Sequence, residues 1–184
     1  MEGADRSPGI RPRPTLGRRL DQTARASFPA SCTVLLMLAA TAPFGLPMQA
    51  ALLPAVTLGS VWFWALFRPA ALPPPLVFLL GVLFDLLGYL PLGTGALTLL
   101  IAYGVAARAR RSLTRQRFLP VWLAYAAVAA GAALLDWAIA SGLQFRALPI
   151  APALFQCALS IALYPALSVL FMRAHGSVAD PESA

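Results

Sequence analysis

The chain is expected to be an all-α polytopic membrane protein with six transmembrane helices, and three observations lead there. Hydrophobic residues make up 59% of the 184 and charged ones 11%, against about 25% charged in a soluble domain, and the mean hydropathy is +0.74. Six apolar runs of helix length are separated by Pro, Gly and Arg. The basic residues, all arginine, fall in alternate gaps between those runs, as the positive-inside rule requires. The net charge of +7 is therefore assigned to orientation in the bilayer, and no nucleic-acid partner is expected.

Residues 1–27 hold Arg6, Arg11, Arg13, Arg18, Arg19 and Arg25, three prolines and few large apolar side chains. Such a segment cannot bury enough surface to order itself, so a disordered basic cytoplasmic tail is expected. Anionic headgroups attract a tail of this kind.

The six-helix membrane domain is placed at residues 28–172. Phe28 to Leu46 is the first span. Its basic flank and Ala40-Thr41-Ala42 imitate a cleaved signal peptide, but Pro43 stands just after the cut, and the segment is read as retained. Met48 to Phe67 is the second span. Its end, Val61-Trp62-Phe63-Trp64-Ala65-Leu66-Phe67-Arg68, puts aromatic rings and an arginine where the headgroup level is expected. Pro69 and Pro73-Pro74-Pro75 should stop the helix and hold the link extended.

Leu76 to about Leu90 and about Leu92 to Ala107 are the third and fourth spans. At 1.5 Å per residue each covers roughly 23 Å of a ~30 Å hydrocarbon core. Either they extend into the Gly/Pro turn, or that turn lies below the surface against protein. Arg108 to Arg117 should form a basic loop. Leu119 to Ser141 is the fifth span, and Leu148 to Met172 the sixth, followed by a short cytoplasmic tail at residues 173–184. With six spans both termini face the cytoplasm, and Arg146 is the one basic residue on the other side.

Only two acids lie within the spans. An acid in a lipid-length helix is costly enough that it faces the bundle and has a role. Gly81, Asp85 and Gly88 stand at i, i+4, i+7, so the carboxylate should point into a close helix contact. Asp136 lies on a stripe with Tyr125, Ala129 and Ala140, and Trp137 beside it is expected to anchor the interface. Gln156, Ser160, Tyr164 and Ser168 recur at intervals of four on the last span and offer partners for a buried acid. Two readings are open for Asp85, a proton or substrate relay and a helix fastener; for Asp136 the fastener is preferred.

Gly93-Thr94-Gly95 is a fragment of a phosphate loop without its strand or lysine, and is read as a turn and helix start with Thr94 as cap. One histidine, His175, excludes Ser/His/Asp, Cys/His and metal constellations, so no enzyme activity, cofactor or metal is expected. Cys32 and Cys157 lie in apolar runs without ligand spacing and are assigned to packing.

The ordered set Phe63-Trp64-Ala65-Leu66-Phe67-Arg68-Pro69, then Phe78-Leu79-Leu80-Gly81-Val82-Leu83-Phe84-Asp85-Leu86-Leu87, then Pro91-Leu92-Gly93 resembles the MreD family of rod shape-determining proteins. The resemblance covers about fifty residues. Carried over residue by residue, its motif positions are Arg68, Pro69, Gly81, Asp85, Pro91, Leu92 and Gly93. It implies a non-catalytic scaffold of the bacterial inner membrane that binds the membrane-anchored periplasmic partner MreC. Through that assembly it would connect the cytoskeletal protein MreB with the glycosyltransferase and transpeptidase of lateral wall synthesis. A fold similar to the six-helix substrate-binding subunits of vitamin transporters is also implied, which leaves a small-molecule binding or transport subunit as the alternative.

Overall fold

Among the described residues the chain forms six α-helices: α1 (Leu16–Thr41), α2 (Leu52–Phe67), α3 (Pro74–Gly88), α4 (Thr94–Leu113), α5 (Phe118–Leu143) and α6 (Ala151–Ala179). They come from a computed structural model that describes residues 16–43, 49–88 and 91–179. Among the described residues every regular element is helical, and two short 3₁₀ turns, Gln49–Ala51 and Pro69–Ala71, flank α2. Three helical stretches among the described residues are long and apolar enough to cross a bilayer: Gln49–Phe67, Phe118–Leu143 and Ala151–Arg173. The apolar segments Ser27–Thr41 and Pro74–Gly88 are shorter.

The other helices surround α2, which packs chiefly on α6, α4 and α1. Every residue from Ala55 to Leu66 is buried. Two hydroxyls can be buried there because they turn back onto their own helix: Thr57 donates to the Leu53 carbonyl at 2.7 Å and Ser60 to Val56 at 2.6 Å. At Gly59 a side chain would begin 2.9 Å from Leu167 Cδ1, so the missing Cβ sets how closely α6 approaches.

The aromatic end of α2 differs from the expected headgroup belt. Trp62, Phe63 and Trp64 are buried, and only Phe67 of this group faces outward. Phe63 and Trp64 pack against Phe171 of α6 with ring centroids 5.1 and 5.3 Å apart, and Phe28 of α1 meets Trp64 edge-on at 6.0 Å. A belt needs lipid-facing rings, and at this level of α2 Trp62, Phe63 and Trp64 are enclosed by neighbouring helices. These contacts also put the middle of α1 beside the C-terminal end of α2.

The helix limits depart from the expected ones in several places. Residues 1–15 of the expected disordered tail lie outside the described residues, and from Leu16 the chain is already helical. The prolines after α2 do not hold an extended link: Pro69 opens the 3₁₀ turn and Pro74 starts α3, since proline's fixed φ suits a first helical turn. Helix α4 continues to Leu113 and carries Arg108, Arg110 and Arg111, placed above in a loop. Arginine is a good helix former and suits a helix C-terminus. Helix α6 runs on to Ala179 through much of the expected C-terminal tail.

Candidate functional site

The site is the turn between α3 and α4. Asp85 sits one turn before the end of α3 and is 1% exposed. Its Oδ2 accepts the Gly93 N–H and its Oδ1 the Gly95 N–H, both at 2.7 Å. A helix start leaves backbone N–H groups without intrahelical partners, and in hydrocarbon each costs several kcal/mol if left alone. The carboxylate satisfies two of them, and the Pro91 carbonyl takes a third from Thr94 at 3.2 Å. Fifteen residues of α3 reach roughly 22 Å of a ~30 Å core. The turn can lie at the inner edge of the headgroups, with Gly93 exposed, because the buried amide of Gly95 is paired within the protein.

The glycines of this turn have separate reasons. Gly93 precedes α4 with φ +99°, a conformation that side chains resist. At Gly81 a Cβ would fall 2.3 Å from Ala96 Cα, so the two backbones touch there. At Gly95 it would fall 2.2 Å from Phe84 Cδ1 and 2.5 Å from Asp85 Oδ1. Gly88, expected on the same contact face, is exposed, as are Pro91 and Leu92. Thr94 is not the cap: Gly93 holds the N-cap position without a side-chain bond, and the capping oxygens come from α3. Tyr89 and Leu90 lie outside the described residues.

Asp136 reaches α4 from the other side. Its Oδ1 accepts the Thr98 hydroxyl at 2.6 Å, and the residue is partly buried. Each aspartate has its own partner on α4. The polar row of α6 does not bond to either: Ser160 donates to the Gln156 carbonyl and Ser168 to Pro165, both at 2.8 Å, while Tyr164 stacks on Tyr125 with centroids 4.2 Å apart. In an apolar interior a hydroxyl can be satisfied by its own helix, so the spacing of four brought no bond to either acid. Trp137 donates Nε1–H to the Leu148 carbonyl at 3.0 Å and ties the α5–α6 link to α5.

Arg68 ends α2, giving its N–H to the Trp64 carbonyl at 2.7 Å, and Pro69 follows in the 3₁₀ turn. Neither touches the α3–α4 turn.

Two ties were not foreseen in the sequence. Arg110 Nε–H donates to the Leu66 carbonyl at 2.8 Å, a cation at the negative end of α2. Pro165 lies inside α6 and has no N–H for the carbonyl four residues back, Ile161. Trp122 of α5 fills that vacancy, its Nε1–H meeting the Ile161 oxygen at 3.0 Å. A proline within an apolar run facing a tryptophan in the neighbouring run is the signal that could have suggested it.

Between α2, α4, α5 and α6 lies a cavity of ≈ 20 Å³, bordered by Thr57, Thr98, Asp136, Gln156, Cys157 and Ser160. That is room for about one water. No group of three or more His, Cys, Asp or Glu with metal-binding placement occurs among the described residues.

In comparison with known proteins, residues 25–174 match the family model described as rod shape-determining protein MreD. No curated protein and no solved structure matches the chain.

Proposed function

The chain belongs to the MreD family of rod shape-determining membrane proteins, and on that premise we propose that it serves cell-wall elongation as a non-catalytic scaffold of the bacterial inner membrane. It binds an MreC-like membrane-anchored periplasmic protein and, through it, couples MreB to the glycosyltransferase and transpeptidase of the lateral wall. Both termini are cytoplasmic in this reading. The orientation is supported by Arg68, Arg110, Arg111, Arg115, Arg117 and Arg173 at one end of the bundle against Arg146 at the other.

The observation that carries a holding role is Asp85, with both oxygens engaged by backbone amides of the next helix. A relay acid must exchange its proton with neighbours, whereas this one has the geometry of a cap. The transport alternative is disfavoured by the space at the acids: pockets for small molecules run to ~300 Å³ or more, the cavity beside Asp136 is ≈ 20 Å³, and the larger openings of ≈ 390 and ≈ 550 Å³ are lined by neither Asp85 nor Asp136.

The test is rescue of rod growth in cells depleted of this protein, together with co-purification of the MreC-like partner. Wild type should restore rods and retain the partner, and Asp85→Ala should lose both in proportion to its folded fraction. Saturable uptake of a solute by the wild-type protein, or its marked thermal stabilisation by one, would favour the transport reading instead.

A further inference from the structure

A groove of about 620 Å³ opens where α2 and α4 end, bordered by Leu66, Phe67, Arg110, Arg111, Thr114 and Arg115. We propose that this groove binds the phosphate headgroup of an anionic phospholipid. Its walls combine two chemistries in the order a lipid presents them. Leu66 and the outward-facing Phe67 are the last apolar residues of α2, and the three guanidiniums lie on the last turn of α4 and just past it. A lipid seated here lays its glycerol and upper acyl carbons on Phe67 and its phosphate among the arginines.

The cationic side is prepared in advance. Arg110, which borders the groove, is held by its Nε–H bond to the Leu66 carbonyl. Thr114 donates to the Arg110 carbonyl at 2.8 Å, which fixes the backbone turn between Arg110 and Arg115. Two carboxylates of the bundle are engaged away from the groove: Asp85 bonds Gly93 and Gly95, and Asp136 bonds Thr98. Neither Asp85 nor Asp136 forms an ion pair with the three arginines.

The helix dipoles oppose an anion at this end, since α2 and α4 both turn their C-termini toward it. Each contributes roughly half a negative charge, about one in all against three guanidinium charges, so the site stays cationic. Guanidinium also fits a phosphate through paired N–H groups. A free phosphate offers the same anion but nothing to cover Phe67, and this decides for the lipid.

Native mass spectrometry of the full-length protein in neutral detergent, titrated with phosphatidylglycerol, cardiolipin or phosphatidylcholine, tests the proposal. Each basic residue near an anionic lipid is worth about a five-fold change in affinity. The double variant Arg111→Gln/Arg115→Gln should therefore weaken phosphatidylglycerol and cardiolipin binding by roughly 25-fold. Phosphatidylcholine should bind weakly to both proteins. Arg115→Gln alone should lose about five-fold and serves if the double variant does not fold, which its thermal transition reports. Equal retention of anionic lipid by wild type and the folded variants overturns the site. So does phosphatidylcholine binding as tightly as phosphatidylglycerol. Complete displacement of the lipid by millimolar inorganic phosphate would make it a site for the free ion and overturn the lipid assignment.

Discussion

Replacing Asp85 by alanine removes two of the three acceptors of the α4 N-terminus and leaves the bond of Thr94 to the Pro91 carbonyl in place. The two amides released are not equivalent. Gly93 is exposed, so its N–H can find water or a headgroup, and its loss is the net value of one charge-assisted bond, about 1.5 kcal/mol. Gly95 is buried, and its N–H is left alone at a cost of about 1 to 3 kcal/mol. The expected destabilisation of Asp85→Ala is therefore about 2.5 to 4.5 kcal/mol. Asp85→Asn keeps one carbonyl oxygen for Gly95 but turns an amide NH₂ toward Gly93, so it should lose about half as much. Reversible unfolding in mixed micelles with increasing SDS, followed by tryptophan fluorescence, gives both values. The asparagine variant also separates capping from proton relay. A cap predicts that function follows stability, with asparagine partly active. A relay predicts a stable asparagine variant with no activity in rod rescue. An alanine variant within about 0.5 kcal/mol of wild type would refute the capping argument.

Further outcomes follow from individual contacts. Gly81→Ala should destabilise by about 1 to 3 kcal/mol, because its Cβ meets the Ala96 backbone; adding Ala96→Gly should not rescue it, and the same micelle unfolding measures both. Gly131→Ala, where a Cβ has no neighbour within 4 Å, should be neutral or stabilise by up to about 1 kcal/mol. Trp122→Phe should cost about 0.6 to 1.7 kcal/mol, but close to nothing in a Pro165→Ala background, where residue 165 regains an N–H for Ile161; a double-mutant cycle reads this directly. Arg110→Ala should cost about 1 kcal/mol and bring faster amide exchange at the C-terminal turn of α2.

The helix count and the hairpin were legible in the sequence because they depend on local signals. Prolines, glycines and arginines punctuate the apolar runs, and Asp85, Gly93 and Gly95 lie within one short stretch. The partner of Asp85 was not legible, because it is backbone, and a backbone N–H carries no residue identity to search for. The central place of α2 was hidden for a different reason. In water a buried face is marked by its contrast with a polar one, but in a bilayer both faces are apolar. Thus α5, whose inward stripe is Val121, Tyr125, Ala129 and Ala133, reads as apolar all round, like α2. The same loss of contrast turned the buried Trp62 and Trp64 into expected interface anchors. Arg108 to Arg111 were placed in a loop because charge was taken as a boundary, although arginine in the last turn of a helix is favourable.

Polar and apolar cohesion are carried by different helices. The apolar core centres on α2, whose contacts with α6 are packing alone among the described bonds. The polar ties centre on α4: Asp85 of α3 holds its first turn, Asp136 of α5 holds Thr98, and its own Arg110 holds the end of α2. Packing between apolar helices in lipid resists separation but resists sliding less, since one aliphatic contact replaces another at little cost. A helix bonded near both ends to three neighbours cannot slide by a turn without breaking at least one buried bond. Alternating access requires such movement, and a scaffold that presents fixed outer faces to partner helices requires its absence. If that is what α4 contributes, the pair Asp85→Ala and Arg110→Ala, some 25 residues apart, should act on one property. Each alone should loosen one end, and together they should let α4 shift, which cysteine crosslinks between α2 and α4 would register as a spread of pairs in place of one. A single crosslinked pair in the double variant would assign the register of α4 to packing.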